Sequence, residues 1–333
     1  MFSYKHGDCY MLIGLYVDDG IAASNRPAEL DRLFAYLNEK YTMKVCEPTK
    51  FIGLEIRRAN GNLYLHQRSY IEKILALFGM TTCRPIATPA PKGYPVRHDD
   101  LYDPSIHAIF RSIVASLLYL ARMSRPDIAF IVGVLATKVD CPSAADLGLA
   151  KRVLRYLSAT VSLEMVFTKP NDPKLVAYCD ANFGVEPRGL SRTGAIMELF
   201  GNPVGWWSKL QSVPARSSTE AEWYSIDFAL RECLPVKQLL EDLQFRIHCC
   251  HILNDNLSAI QLCRDEPGKK NPRTKHVERA FYFIRHYTQT GEFQLDYMST
   301  DRQPADLLTK SLAKEAHQRH VRALKLVSHP QTD

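Results

Sequence analysis

Met11-Leu12-Ile13-Gly14-Leu15-Tyr16-Val17-Asp18-Asp19-Gly20-Ile21-Ala22-Ala23 sets two adjacent carboxylates between an apolar run, Met11 to Val17, and a shorter one, Gly20 to Ala23. Apolar runs either side of a short polar tip are the pattern of a β-hairpin. Strand side chains alternate faces, so neighbouring acids put charge on both sides and one side is costly to bury unless something binds it. A divalent cation would do so: hard cations take oxygen ligands, and Mg²⁺ is held through one or two carboxylates together with phosphates. A solvated Asp-Asp turn satisfies the same residues, so the rest of the chain decides.

Working outward, 333 residues allow about two domains. Hydrophobic content of 46% suffices for real cores, and a net charge of +6 permits a nucleic-acid partner without requiring one. The longest uncharged apolar stretches, Ser112 to Ala121 and Ile128 to Thr137, fall short of the roughly 20 residues of a membrane span. Lys5, His6 and Asp8 interrupt any signal-peptide pattern. Nine cysteines without CxxC spacing read as free thiols of a reducing compartment. In the extended run around His248-Cys249-Cys250-His251, neighbouring side chains point to opposite faces and cannot all chelate one zinc.

After the acidic hairpin, Leu30, Leu33, Phe34 and Leu37 give Pro27 to Tyr41 a helical period. Phe51 to Arg57 and Asn62 to His66 read as strands around an Asn60-Gly61 turn, and Gln67 to Phe78 as a helix. Prolines 85, 89, 91, 95 and 104 mark a linker. Helices follow over Ser105 to Met123, Pro126 to Lys138 and Ser143 to Ser158, the last with a Ser cap. The expected division is 1–82, a Pro-rich linker 83–104, a helical segment 105–170, a strand-rich unit 171–310 and a charged tail 311–333.

In the strand-rich unit four acids sit where an element ends or begins. Asp180 closes the strand Leu175 to Cys179, and strands Thr193 to Phe200 and Val204 to Lys209 follow around Gly201-Asn202-Pro203. Glu220 lies in the first turn of a helix announced by Ser217-Ser218-Thr219, where Ser217 with Glu220, or Thr219 with Glu222, has capping-box spacing. Asp255 ends the strand Cys250 to Leu253, and Asp306 opens a last helix after Pro304. Four carboxylates brought to one sheet edge repel strongly. Two metal ions about 3.5–4 Å apart relieve that repulsion and can clamp both oxygens of a phosphodiester displacement.

This C-terminal stretch resembles ribonuclease H in the version carried by copia-type retrotransposons. The resemblance rests on Tyr178-Cys179-Asp180-Ala181, Ser191-Arg192-Thr193-Gly194, Trp207-Ser208-Lys209-Leu210-Gln211, Ser217-Ser218-Thr219-Glu220-Ala221-Glu222 and Asp255-Asn256. Thr274-Lys275-His276-Val277-Glu278 and Gln303-Pro304-Ala305-Asp306-Leu307-Leu308-Thr309-Lys310 continue it. Upstream, Tyr16-Val17-Asp18-Asp19, Phe51-Ile52-Gly53-Leu54-Glu55-Ile56, Arg111-Ser112-Ile113-Val114, Ser116-Leu117-Leu118-Tyr119-Leu120 and Arg125-Pro126-Asp127-Ile128 are similar to the same family's reverse transcriptase. The order is kept along nearly the whole chain.

The resemblance implies an α/β fold: a partial palm and thumb, a helical connection, then a ribonuclease H-like domain with a mixed five-stranded sheet flanked by helices. It implies an RNA/DNA hybrid or primer-template as partner, upstream polymerase segments of the same polyprotein, and Mg²⁺ or Mn²⁺, two ions at the nuclease site. Metal ligands and catalytic acids would be Asp180, Glu220, Asp255 and Asp306, with Asp18 and Asp19 as the polymerase pair. It also implies an intracellular setting, in a cytoplasmic particle or the nucleus. Cellular relatives often place a His before the last Asp; Ser299-Thr300-Asp301-Arg302-Gln303 has none. Candidate phosphate contacts are Arg188, Arg192, Arg273, Lys275 and Arg279, while adjacent Trp206 and Trp207 point to packing first. Polymerisation by the chain alone is not expected, because the only acid before Tyr16, Asp8, lies at the far end of the same strand, about 30 Å away. A module that grips hybrid without turnover, and an inert remnant of a degenerate element, are the competing readings.

Overall fold

The computed structural model describes residues 1–94, 101–169, 173–247, 249–264 and 275–329, with backbone only for 275–281. At the start, β1 (Phe2–His6), β2 (Cys9–Tyr16) and β3 (Asp19–Ser24) form an antiparallel sheet in that order. β2 and β3 are the expected acidic hairpin, with Tyr16 paired to Asp19. Helix α1 (Pro27–Lys40) follows with no fully buried side chain.

Strands β4 (Lys50–Phe51), β5 (Leu54–Ala59) and β6 (Asn62–His66) come next. The β5–β6 turn places Asn60 at φ 52° and Gly61 at φ 74°, which the Asn-Gly pair tolerates. At the β4–β5 turn Gly53 has φ 81°, and a Cβ there would lie 1.9 Å from the Tyr119 hydroxyl. Glycine is therefore what lets this hairpin meet the helices. Those are α2 (Arg68–Leu77), α3 (His107–Met123), α4 (Ala129–Ala136) and α5 (Ala144–Ala159). Ser143 and Asp146 close a reciprocal capping box on α5. By length and composition Pro104–Met123 could cross a membrane. In the fold, however, α3 buries Phe110, Ile113, Val114, Leu117 and Leu120 in one core with α4 and α5. Under that core Arg125 makes a two-pronged ion pair with Asp127, whose second oxygen also accepts from the Tyr156 hydroxyl at 2.7 Å.

The α5 helix leads to β7 (Leu163–Phe167), a strand not expected from the sequence. Then β8 (Leu175–Asn182), β9 (Arg192–Leu199), β10 (Asn202–Leu210), α6 (Ser218–Asp242), β11 (Cys250–Asn254), α7 (Leu257–Arg264), α8 (Lys275–Gln289) and β12 (Phe293–Tyr297) build the mixed five-stranded sheet. Its order is β10-β9-β8-β11-β12. β9 is antiparallel to β8 and β10, while β11 runs parallel to β8 and β12. The central edge between β8 and β11 is thus where the order of the sheet reverses.

The charged tail is structured. α9 (Lys314–Ala323) and β13 (Leu326–Ser328) dock His317, His320, Val321, Leu324 and Leu326 inside. β13 completes a third sheet, β13-β7-β6-β5-β4, antiparallel throughout. It draws strands from three segments that composition sets apart, and Arg57 on β5 reaches over to pair with buried Glu164 on β7.

Candidate metal centre

Asp180 lies within β8, third from its end, paired with Gly194 of β9 and only 3% exposed. A Cβ at Gly194 would come within 2.7 Å of the Ala305 carbonyl and the Thr309 methyl. The missing side chain lets the short helical turn Pro304–Leu308 close on the sheet, and that turn carries Asp306. Buried Gln303 fixes the approach: its amide donates to the Cys179 carbonyl at 3.0 Å and its oxygen accepts from the Ala305 amide. Thr309 donates its hydroxyl to Asp180. Lys310 brings its ammonium 2.7 Å from Asp306 and 4.0 Å from Asp180.

From the other side come Glu222 and Asp255. Asn254, the buried end of β11, donates to Glu222 at 2.9 Å and to the Cys179 carbonyl at 3.0 Å. Asp255 follows it and accepts from the Thr300 hydroxyl at 2.6 Å. One oxygen from each of Asp180, Glu222 and Asp255 lies within 4.8 Å of the others, the one such group among the described residues. Burial and the charges of Asp180 and Asp255 push the Glu222 carboxyl up to about 8. Burial and Asp180 push Asp306 up to about 7. Burial lowers the Lys310 ammonium, but Asp180 and Asp306 outweigh that and raise it. The donors are all carboxylate oxygens, with no sulfur or imidazole, and their mutual repulsion is what a hard divalent cation would relieve.

Of the acids expected here, Asp180, Asp255 and Asp306 come together and Glu220 does not. Ser217 caps α6 by accepting from the Glu220 amide at 3.2 Å, and the Glu220 carboxylate turns back to accept from the Arg216 amide at 2.7 Å. Glu222, two residues on and about 200° around the helix, faces the sheet instead. The signal was available: a Glu in capping position after Ser217 is spent on its own helix end. Gln303, Thr309 and Lys310 stand in the stretch around Asp306 that carries the resemblance, but like Asn254 they have no local signal of a role at the site.

The proposed phosphate contacts divide in the same way. Arg192 is 1% exposed and pairs with Glu186 and the Ser208 hydroxyl, so it holds the β9–β10 strands rather than reaching a ligand. Arg188 is exposed. Arg273 and the side chains of Lys275 and Arg279 lie outside the described residues. Trp206 donates to the Ala121 carbonyl at 2.6 Å, and Trp207 packs edge-on against Phe228, so both serve packing. Asp18 and Asp19 sit exposed at the tip of their hairpin, where Val17 takes a φ of 53°. Asp8 is in the turn at the other end of β2, beside Asn25 and Arg26.

A family model described as reverse transcriptase (RNA-dependent DNA polymerase) matches residues 1–92. The Pol polyprotein of transposon RE1 from Arabidopsis thaliana is 34% identical over 96% of this chain, which covers 22% of that polyprotein. A transposon Ty5-1 protein of Saccharomyces cerevisiae is 34% identical over 66% of this chain and 73% of its own length. Among solved structures, LC11-RNase H1 in complex with RNA/DNA hybrid is similar at 16% identity and a TM-score of 0.32, covering 44% of this chain and 99% of its own. The chain therefore spans less than a quarter of the full polyproteins it matches. It belongs to the family of copia-type retrotransposon Pol polyproteins.

Proposed function

We propose that this chain hydrolyses the RNA strand of RNA/DNA hybrids with Mg²⁺ or Mn²⁺ held by Asp180, Glu222, Asp255 and Asp306. The observation that carries the reading is the convergence of Asp180, Glu222 and Asp255 from β8, α6 and the end of β11 to within 4.8 Å. Bound divalent ions would supply an activated water and stabilise the leaving oxygen. The chain's own residues do the positioning. Asn254 orients Glu222, Thr300 orients Asp255, and Thr309 holds Asp180. Selection of a hybrid would rest on contacts to the 2′-hydroxyls of one strand.

Purified chain should cleave a labelled hybrid in Mg²⁺ or Mn²⁺ while leaving duplex DNA intact. Asp180→Asn should remove that cleavage without removing binding. Binding with no cleavage by the wild type, indifferent to Asp180→Asn, would sink the nuclease in favour of a gripping module. The Asp18–Asp19 hairpin has no third carboxylate grouped with it among the described residues, and no primer extension is expected from this chain alone.

A further inference from the structure

The acids of the centre are not equally free. Asp180, Glu222 and Asp255 face one another, and among the described residues neither Glu222 nor Asp255 makes an ion pair. The gap between Asp180 and Asp306 is spanned by the Lys310 ammonium, at 4.0 Å and 2.7 Å. Lys310 stands four residues after Asp306, so its position is set by the same turn that delivers the acid. Thr309 contributes its hydroxyl to the Asp180 oxygen nearest that ammonium.

A divalent ion held by Asp180 and Asp306 together would need the carboxylate oxygens that the ammonium now meets, and two cations so close would repel. Resting on the nuclease reading of this site, we propose that Lys310 is a resident counter-ion. It holds the cation position between Asp180 and Asp306, and a divalent ion enters there only by displacing it. The position framed by Asp180, Glu222 and Asp255 is open to an ion directly. Displacement is feasible because the Lys310 side chain is 37% exposed on a flexible stem.

Calorimetric titration of the whole chain with Mn²⁺, without nucleic acid, tests this. Removing the competitor in Lys310→Met should tighten the weaker of two binding events about tenfold or more, a clear equilibrium shift, and leave the tighter one nearly unchanged. Lys310→Arg, which keeps the charge, should not tighten it. A lysine that merely props up the turn gives the opposite: loss of Lys310 would weaken ion binding, and that result overturns the proposal. If Lys310→Met needs metal to fold, its melting temperature must climb more steeply with Mn²⁺ than that of the wild type; an equal or shallower climb also overturns it. A wild-type chain that neither binds Mn²⁺ nor cleaves hybrid removes the nuclease reading itself. One that does both, with Lys310→Met no tighter, removes the counter-ion alone.

Discussion

Glu220 and Glu222 differ by two positions and by everything their oxygens meet. Glu222→Gln should cost about a hundredfold or more in hybrid cleavage, beyond what loss of an orienting partner costs. Glu220→Gln should stay within a few-fold, because among the described residues its carboxylate serves the Arg216 amide and the Tyr224 hydroxyl alone. Stability should move the other way. A carboxyl held at about 8 favours the fold while protonated, and that advantage is lost as pH rises from 4.5 towards 8. In metal-free buffer near the top of that window, Glu222→Gln should therefore be more stable than the wild type, by roughly 1–3 kcal/mol in urea unfolding. This also explains what the sequence disclosed at this scale. Strand ends and the Pro304 boundary make Asp180, Asp255 and Asp306 visible as candidates. Which of two glutamates turns inward depends on how Ser217 phases α6, a choice that only packing against β8 completes.

At the scale of elements, periodicity serves best where one face is buried. α2, α3 and α5, the Asn60-Gly61 hairpin and four of the five strands of the mixed sheet are legible for that reason, while β12 is not. β7 and β13 are not, because each is short and draws its partners from distant segments. The turn after β9 also shifts: Phe200 and Gly201 take φ of 55° and 69°, leaving Asn202 to bond the Thr168 amide at 2.9 Å. The helical layer depends on one buried charge pair. Asp127→Asn would strand the Arg125 guanidinium, which is fully enclosed, and weaken the acceptor of Tyr156. The expected loss is about 3–5 kcal/mol, read as a lower denaturant midpoint at unchanged slope.

Across the whole molecule, the acidic centre leans on the tail. Ala305, Leu307 and Leu308, which flank Asp306, share a core with Val321, Leu324 and Leu326. Removing α9 and β13 should raise amide exchange about tenfold or more in β7 and in Pro304–Leu308, since both lose their apolar cover. Protection unchanged in those segments would show that the tail is dispensable. The third sheet adds a matter of timing. As the polypeptide emerges from the ribosome, the β5–β6 hairpin is complete early, but the free edge of β6 waits for β7, and the free edge of β7 waits for β13. Unpaired edges invite pairing with other chains, and pairings between distant segments form slowly. Until the final strand is made, then, every nascent copy carries an open edge. How quickly synthesis passes from β6 to β13 thus bears on how much of this protein escapes association with its neighbours.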